Sequence, residues 1–294
     1  MKYTEITINT AKKLLPIRTI DSHKGTYGKV LNIAGCFGYQ GAAYLSSVSA
    51  LKVGAGLVTL ATTKQVINNL AGNCPWVTFL PLKDSMGEHI ATDAFKDLTT
   101  KISNYDVVSI GSGLSVTQDT KDFVSDVIAY LNKSDTKSVI DADAINILAQ
   151  SDLTVLPNNS VITPHPMELS RLIKIPLDEI QSDRIKYAKF TAKKYGCTVI
   201  LKGNKTIVYT NNDKVFVNTS GNSALAKAGS GDVLTGIISG LIAQGLSTQD
   251  ASILGVYLHG LCGEYASKDL TEYSVLATDQ INYISTAIKK LLEA

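Results

Sequence analysis

Short β-branched strands alternate with helices along almost the whole of this 294-residue chain, and that rhythm leaves few folds open to it. Lys29-Val30-Leu31-Asn32-Ile33-Ala34-Gly35 reads as a buried strand, which runs through a glycine loop to Gly41 and into an Ala/Ser/Leu-rich helix over 42–53. Gly54-Ala55-Gly56 stops that helix, and Leu57-Val58-Thr59-Leu60-Ala61 is the next strand, completing a βαβ unit. The alternation continues with strands over 76–80, 107–110, 138–141, 160–163 and 197–201, and with helices over 91–103, 119–132, 142–149, 166–172 and 179–195. Strands of this kind form a mostly parallel sheet covered by helices on both faces.

The pattern changes in the C-terminal third. Segments 206–210 and 214–218 flank Asn211-Asn212-Asp213, the signature of an antiparallel hairpin at the sheet edge, and helices over 231–244, 248–268 and 274–292 follow. A short leading helix and a loop around Pro16 precede the first strand. No repeat, low-complexity tract or linker divides the chain, so residues 1–294 are expected to form one domain.

Composition excludes several classes of function. Twenty-eight basic against 26 acidic residues give a formal charge of +2, without a basic run to hold nucleic acid or an anionic membrane. Met1-Lys2-Tyr3-Thr4-Glu5-Ile6 lacks the apolar core of a secretory signal, and no apolar run approaches a membrane span, so a cytoplasmic enzyme is expected. Cys36, Cys74, Cys197 and Cys262 are too scattered for a metal site. Cys197 and Cys262 read as buried thiols, whereas Cys36, in a glycine loop, is a candidate for reactivity.

In an open parallel sheet, the loops after the strands collect at one edge, where ligands bind. The unusual polar and glycine segments here all follow strands: 35–41, Gly111-Ser112-Gly113, Asp141-Ala142-Asp143, Thr163-Pro164-His165-Pro166-Met167-Glu168 and Lys202-Gly203-Asn204-Lys205-Thr206. Ala228-Gly229-Ser230-Gly231-Asp232 should reach the same edge from the helical cover. The amides of Gly229, Ser230 and Gly231 at a helix start suit an anion, and Asp232 beside them is either a general base for an attacking hydroxyl or only a helix cap. No Gly-Lys-Ser/Thr phosphate loop is present, and glycines at 35, 38 and 41 have the wrong spacing for a dinucleotide fingerprint.

Several residues keep two readings. His165, stiffened between two prolines, suits substrate contact, structural hydrogen bonding or metal ligation, with Glu168 three residues on. Asp141 and Asp143 are able to place Mg²⁺ through water, and Asp141, at the end of a buried strand, is the stronger candidate. Lys202 and Gly203 suit nucleotide phosphates, with 204–206 lining the nucleotide, unless that segment only opens an exposed hairpin. In the His23-Lys24-Gly25-Thr26-Tyr27-Gly28-Lys29 loop, Lys24 and Tyr27 either close over a large ligand or belong to an ordinary surface loop.

Together, His23-Lys24-Gly25-x-x-Gly28, Gly41-Ala42-Ala43, Thr163-Pro164-His165-Pro166-x-Glu168-Leu169, Lys202-Gly203 and Gly229-Ser230-Gly231-Asp232-Val233-Leu234-Thr235-Gly236 resemble the ADP/ATP-dependent NAD(P)H-hydrate dehydratases of the ribokinase-like superfamily. The likeness spans residues 20–290. It implies a ribokinase-like fold and repair of the 6S hydrate of NADH or NADPH by phosphorylation of the ring hydroxyl and loss of phosphate. ADP or ATP would be the donor and Mg²⁺ the cofactor. The resemblance implies Asp232 as base, with hydrate contacts at Ala42, Gly113, His165 and Asp232. It implies nucleotide contacts at Lys202, Gly203, Asn204, Lys205, Thr206 and Gly231, an anion hole at Gly229, Ser230 and Gly231, and Asp141 and Glu168 as a possible metal and water network. Homo-tetramers are common in the family. The chain shows no N-terminal domain of epimerase size, so the expectation is that a separate hydrate epimerase, as metabolic partner, converts the 6R form, or that slow spontaneous conversion does. A vitamin-precursor kinase of the same superfamily and a non-catalytic nucleotide-binding regulator are the competing readings.

Overall fold

The computed structural model describes every residue except Met1, Asp152 and Thr154. Among the described residues the strands are β1 (Thr4–Ile6), β2 (Lys29–Ile33), β3 (Leu57–Thr63), β4 (Thr78–Leu82), β5 (Asp84–Ser85), β6 (His89–Ile90), β7 (Val107–Ile110), β8 (Lys137–Ile140), β9 (Ser160–Ile162), β10 (Thr198–Leu201), β11 (Ile207–Tyr209) and β12 (Val215–Asn218). The helices are α1 (Ile8–Leu14), α2 (Gln40–Lys52), α3 (Lys64–Leu70), α4 (Gln118–Leu131), α5 (Ala142–Leu148), α6 (Pro166–Ile173), α7 (Leu177–Ser182), α8 (Arg184–Tyr195), α9 (Ser230–Ala243), α10 (Thr248–Leu270), α11 (Ala277–Asn282) and α12 (Ile284–Glu293).

One sheet carries the fold, in the order β1-β12-β11-β10-β9-β8-β7-β2-β3-β4, while β5 and β6 form a separate small ribbon. From β10 to β4 every pairing is parallel. The antiparallel hairpin β11-β12 follows β10 as expected, but β1 pairs in parallel beyond it and takes the outermost place. Three residues, Thr4-Glu5-Ile6, carry too little pattern to read as a strand; β12 alone supplies their partner.

Period-two alternation sends successive strand side chains to opposite layers. Val30, Val107, Val139 and Ile200 join the core beneath α2, α9 and α10, whereas Leu31, Val108, Ile140 and Leu201 join the core beneath α4, α5, α6 and α8. In the first layer α9 lies directly on α2. A Cβ on Gly236 would stand 2.0 Å from Ser49 Oγ and 2.2 Å from the Ser46 carbonyl, so only glycine lets the two helices approach this closely.

Three expected helices are broken. Segment 91–103 is two 3₁₀ turns, Thr92–Asp97 and Ile102–Asn104. The expected 179–195 helix is α7 and α8, separated at Asp183, whose side chain accepts from the Lys186 N–H and so starts a new helix. The last expected helix becomes α11 and α12 with Tyr283 between them. No described helix is long and apolar enough to cross a membrane.

The His23 loop lies far from the ligand edge. His23 caps the 3₁₀ turn Lys24–Tyr27, and the Gly56 N–H donates to the Tyr27 and Gly28 carbonyls at 3.0 and 3.1 Å. Gly28 also packs on the Ala243 carbonyl, at the opposite end of α9 from Asp232. At 1.5 Å per residue that separation is about 16 Å. Lys24 and Tyr27 therefore do not close over a ligand at the strand C-termini, and the surface-loop reading holds.

Candidate functional site

The strand-end loops meet at one edge through their own backbones. The Gly35 N–H donates to the Ser112 carbonyl at 2.9 Å, Asp143 N–H to Gly111 at 3.3 Å, and Lys202 N–H to Pro164 at 2.9 Å. Beside them opens a cavity of about 820 Å³, lined by Asp141, His165, the 202–206 segment, the 220–223 segment, Gly229, Ser230, Gly231 and Asp232, among others. It gathers all six residues expected at the nucleotide. Ala42 and Gly113 lie beside each other outside that lining, since a Cβ on Gly113 would stand 2.8 Å from the Ala42 Cβ.

An ion cluster forms the floor. Lys202 Nζ is 2.9 Å from Asp141 and 3.7 Å from Glu168, and Asp141 also accepts from the Thr163 hydroxyl at 2.6 Å and the Thr235 hydroxyl at 2.8 Å. Burial presses the Asp141 carboxyl upward, but Lys202 and the two threonines outweigh it and hold it below the usual carboxylate range. The same burial works against the Lys202 ammonium, yet Asp141 and Glu168 keep it above its ordinary value. Burial pushes Glu168 up to about 7 in spite of Lys202, with Asp141 and Asp143 adding to the rise.

His165 has a definite structural duty. Its Nδ1 accepts from the Met167 and Glu168 N–H groups at 3.2 and 3.3 Å, and Glu168 returns the favour by accepting from the His165 N–H at 2.8 Å. This capping box, followed by Pro166, starts α6. Because Nδ1 is an acceptor there, Nε2 carries the proton of the neutral ring, and burial with the nearby Lys202 lowers the imidazole's affinity for a second one. The ring still lines the cavity.

Asp232 is the third residue of α9, whose cap, Gly229, is left-handed with φ 86°. Burial pushes its carboxyl up to about 6, the Asp141 charge adds to this, and the Ser112 hydroxyl and Lys202 pull against it. Of the three amides expected to face an anion, Ser230 N–H donates to the Lys227 carbonyl at 3.2 Å. Gly229 and Gly231 donate to no backbone acceptor among the described residues, and Asp232 N–H joins them as an amide at the helix mouth. A Cβ on Gly231 would stand 3.3 Å from Lys202 Nζ, so this mouth lies against the ion cluster.

Two contributors escape sequence reasoning. Arg184, at the start of α8, donates to the Leu201, Lys202 and Asn204 carbonyls at 2.9, 3.2 and 2.6 Å and holds the loop after β10 in shape. No local pattern marks it. His259, buried in α10, sits 3.1 Å from the Ser230 hydroxyl, and burial lowers it to about 4, so it is neutral behind the α9 mouth. A lone histidine amid Val256-Tyr257-Leu258 and Gly260-Leu261 was its only sequence signal. Cys36, by contrast, is buried with its thiol pushed up, which removes it as a reactive group; Cys197, pushed up to about 12, and Cys262 are buried as expected.

Among the described residues no group of three His, Cys, Asp or Glu side chains has metal-binding geometry. Mg²⁺ is usually held by substrate phosphates and water with one or two carboxylates; Asp141 lines the cavity, and Glu168 shares its Lys202 partner.

Comparison with known proteins identifies the family. The NAD(P)H-hydrate dehydratase family profile matches residues 30–286. The chain is 37% identical over 291 residues to the bifunctional NAD(P)H-hydrate repair enzyme Nnr of Moorella thermoacetica, covering 98% of this chain and 54% of that one. It thus spans about half the length of such bifunctional relatives. It is 34% identical to the ADP-dependent (S)-NAD(P)H-hydrate dehydratase of Bacillus subtilis, covering 90% of each. A crystal structure of the Bacillus subtilis ADP/ATP-dependent NAD(P)H-hydrate dehydratase, co-crystallised with ATP and Mg²⁺, superposes with a TM-score of 0.87 at 30% identity over 99% of both chains. The chain belongs to the NAD(P)H-hydrate dehydratase family of the ribokinase-like superfamily.

Proposed function

We propose that this chain converts the (6S)-hydrate of NADH or NADPH back to the reduced cofactor, using ADP or ATP as phosphoryl donor. The carrying observation is the Asp232 carboxyl, half-buried at the mouth of α9 and lining the large cavity, with its proton affinity raised by desolvation and by the nearby Asp141 charge. In this reading Asp232 takes the proton of the ring hydroxyl as its oxygen attacks the terminal phosphorus, and AMP or ADP departs. The ring nitrogen then pushes electrons toward the C–O bond, inorganic phosphate leaves, and a proton is lost from the neighbouring ring carbon to restore the double bond. Phosphate makes this feasible because hydroxide is a poor leaving group.

The donor nucleotide is assigned to Lys202, Gly203, Asn204, Lys205, Thr206 and Gly231. The hydrate is assigned to Ala42, Gly113, His165 and Asp232. The amides of Gly229, Ser230 and Gly231 are proposed for the transferred group, with the Ser230 N–H released from Lys227 when it serves. Mg²⁺, held by the donor phosphates with Asp141 and Glu168 nearby, would supply neutralisation of donor charge. We further assign residues 1–294 to one domain acting in the cytoplasm as a homo-tetramer, with a hydrate epimerase activity as its metabolic partner.

The test mixes purified protein, Mg²⁺, ADP or ATP and (6S)-NADPH hydrate, and follows recovery of NADPH absorbance together with phosphate release. Equimolar recovery and release is the expected result. No recovery with either donor would refute the assignment, and a stable phosphoester would redirect it to a small-molecule kinase.

Gly113 provides a local test of the hydrate side. Its φ is +64°, and a Cβ there would stand 2.7 Å from the Tyr39 Cβ and 2.9 Å from its carbonyl oxygen. Gly113→Ala should raise the KM for hydrate about tenfold by displacing the acceptor, leaving donor affinity unchanged. An unaltered hydrate KM would remove Gly113 from the acceptor site.

A further inference from the structure

Lys227 has a place in the cavity that the roles so far assigned do not use. The residue is exposed and is part of the cavity lining with Gly229, Ser230, Gly231 and Asp232. Its carbonyl accepts the Ser230 N–H at 3.2 Å, which ties its backbone to the first turn of α9. Its ammonium takes part in no ion pair among the described residues.

The charge balance of the site makes that cation significant. A phosphoryl group arriving at the α9 mouth would meet the Asp232 carboxylate, with Asp141 behind it. Lys202 is the obvious counter-charge, but it is already committed to Asp141 at 2.9 Å and Glu168 at 3.7 Å. Lys205 is exposed and lines the same cavity, but it stands on the loop after β10, not on the loop that leads into α9. Lys227 alone combines an uncommitted ammonium with attachment to the loop whose amides face the anion. A lysine on a flexible stem suits this duty, because it can follow the phosphoryl group as charge moves from donor to acceptor.

We propose that Lys227 binds the terminal phosphoryl group of the donor nucleotide. The proposal rests on the reading of the cavity as the donor site, and it concerns which residue recognises the phosphate that is transferred.

The affinities of ADP and AMP, measured by calorimetry with Mg²⁺ on the whole chain, test it without any hydrate. ADP carries the terminal phosphoryl group and AMP does not, so their affinity ratio isolates its contribution. In Lys227→Met that ratio should fall about tenfold, the scale of one lost charge-assisted hydrogen bond, with AMP affinity and melting temperature unchanged. Lys227→Arg should keep most of the ratio. An unchanged ratio in Lys227→Met would overturn the proposal, as would an equal fall in AMP affinity or an equally large loss in Lys227→Arg, since both would point to a disturbed loop. A chain that prefers ADP through Lys227 but restores no NADPH would reject the hydrate reading and keep this one.

Discussion

Asp232→Asn should lose at least about 100-fold in kcat while binding donor and hydrate as before, in line with the scale of general base catalysis. Its stability should move the other way. Burial, reinforced by Asp141, pushes the Asp232 carboxyl up to about 6 from an ordinary value of 3.8. Below about pH 3.8 the group is protonated in both folded and unfolded chains and contributes nothing. As pH rises toward 6 the unfolded chain releases the proton first, and above 6 the folded protein carries a carboxylate where its surroundings disfavour one. That cost is on the order of 3 kcal/mol at neutral pH. Asp232→Asn should therefore melt at a higher temperature than the parent at pH 7.5, with the gap closing as pH falls toward 4. In the parent, kcat/KM should rise with pH through about 6, as the base loses its proton; because Asp232, Asp141 and Glu168 interact, this limb belongs to the cluster. Turnover near the parent's rate in Asp232→Asn would reduce Asp232 to a helix cap.

Lys202→Met should be the most damaging substitution in the site. It removes the ammonium 2.9 Å from Asp141, whose side chain is only 2% exposed, and breaking one half of such a buried pair costs about 3–5 kcal/mol. Donor binding should be lost with it. The pH dependence identifies the cause. In the parent, Asp141 is held below the usual range, so its contribution is present above the ordinary carboxylate value and is lost as pH falls through the folded value. Without Lys202, burial dominates and raises the carboxyl, so the penalty is greatest at neutral pH and shrinks on acidification. Urea unfolding at pH 7 and pH 4.5 measures the difference. If Lys202→Met does not fold, Lys202→Met with Asp141→Asn keeps the question open to measurement, because an amide removes the unpaired charge. A double variant no more stable than Lys202→Met would refute a charge-based account.

The parallel sheet was legible in sequence because strands such as β2, β7 and β10 carry short runs rich in β-branched residues that end at glycine turns, with helical segments between successive runs. The three-residue β1 was not, since Thr4–Ile6 becomes a strand only through β12. Helix breaks at Asp183 and Tyr283 also escaped, because apolar periodicity runs through them while capping and packing decide the ends. Within the site, the small-residue loop at 229–232 and the 202–206 segment were recognisable as short motifs. Arg184 and His259 were not, for their partners lie 20 and 29 positions away in the chain.

What the sequence by itself determined, then, was local: the alternation that makes a parallel sheet, the glycine turns at its strand ends, and the family these motifs resemble. Tertiary structure decided the rest. It sent the His23 loop to the far end of α9, bound Lys202 between Asp141 and Glu168, gave His165 a cap to make, and raised the Asp232 carboxyl toward the range of a working base. The reason is physical: a propensity or a turn is set by neighbours in sequence, whereas burial and charge at a side chain sum over whatever the fold brings near it.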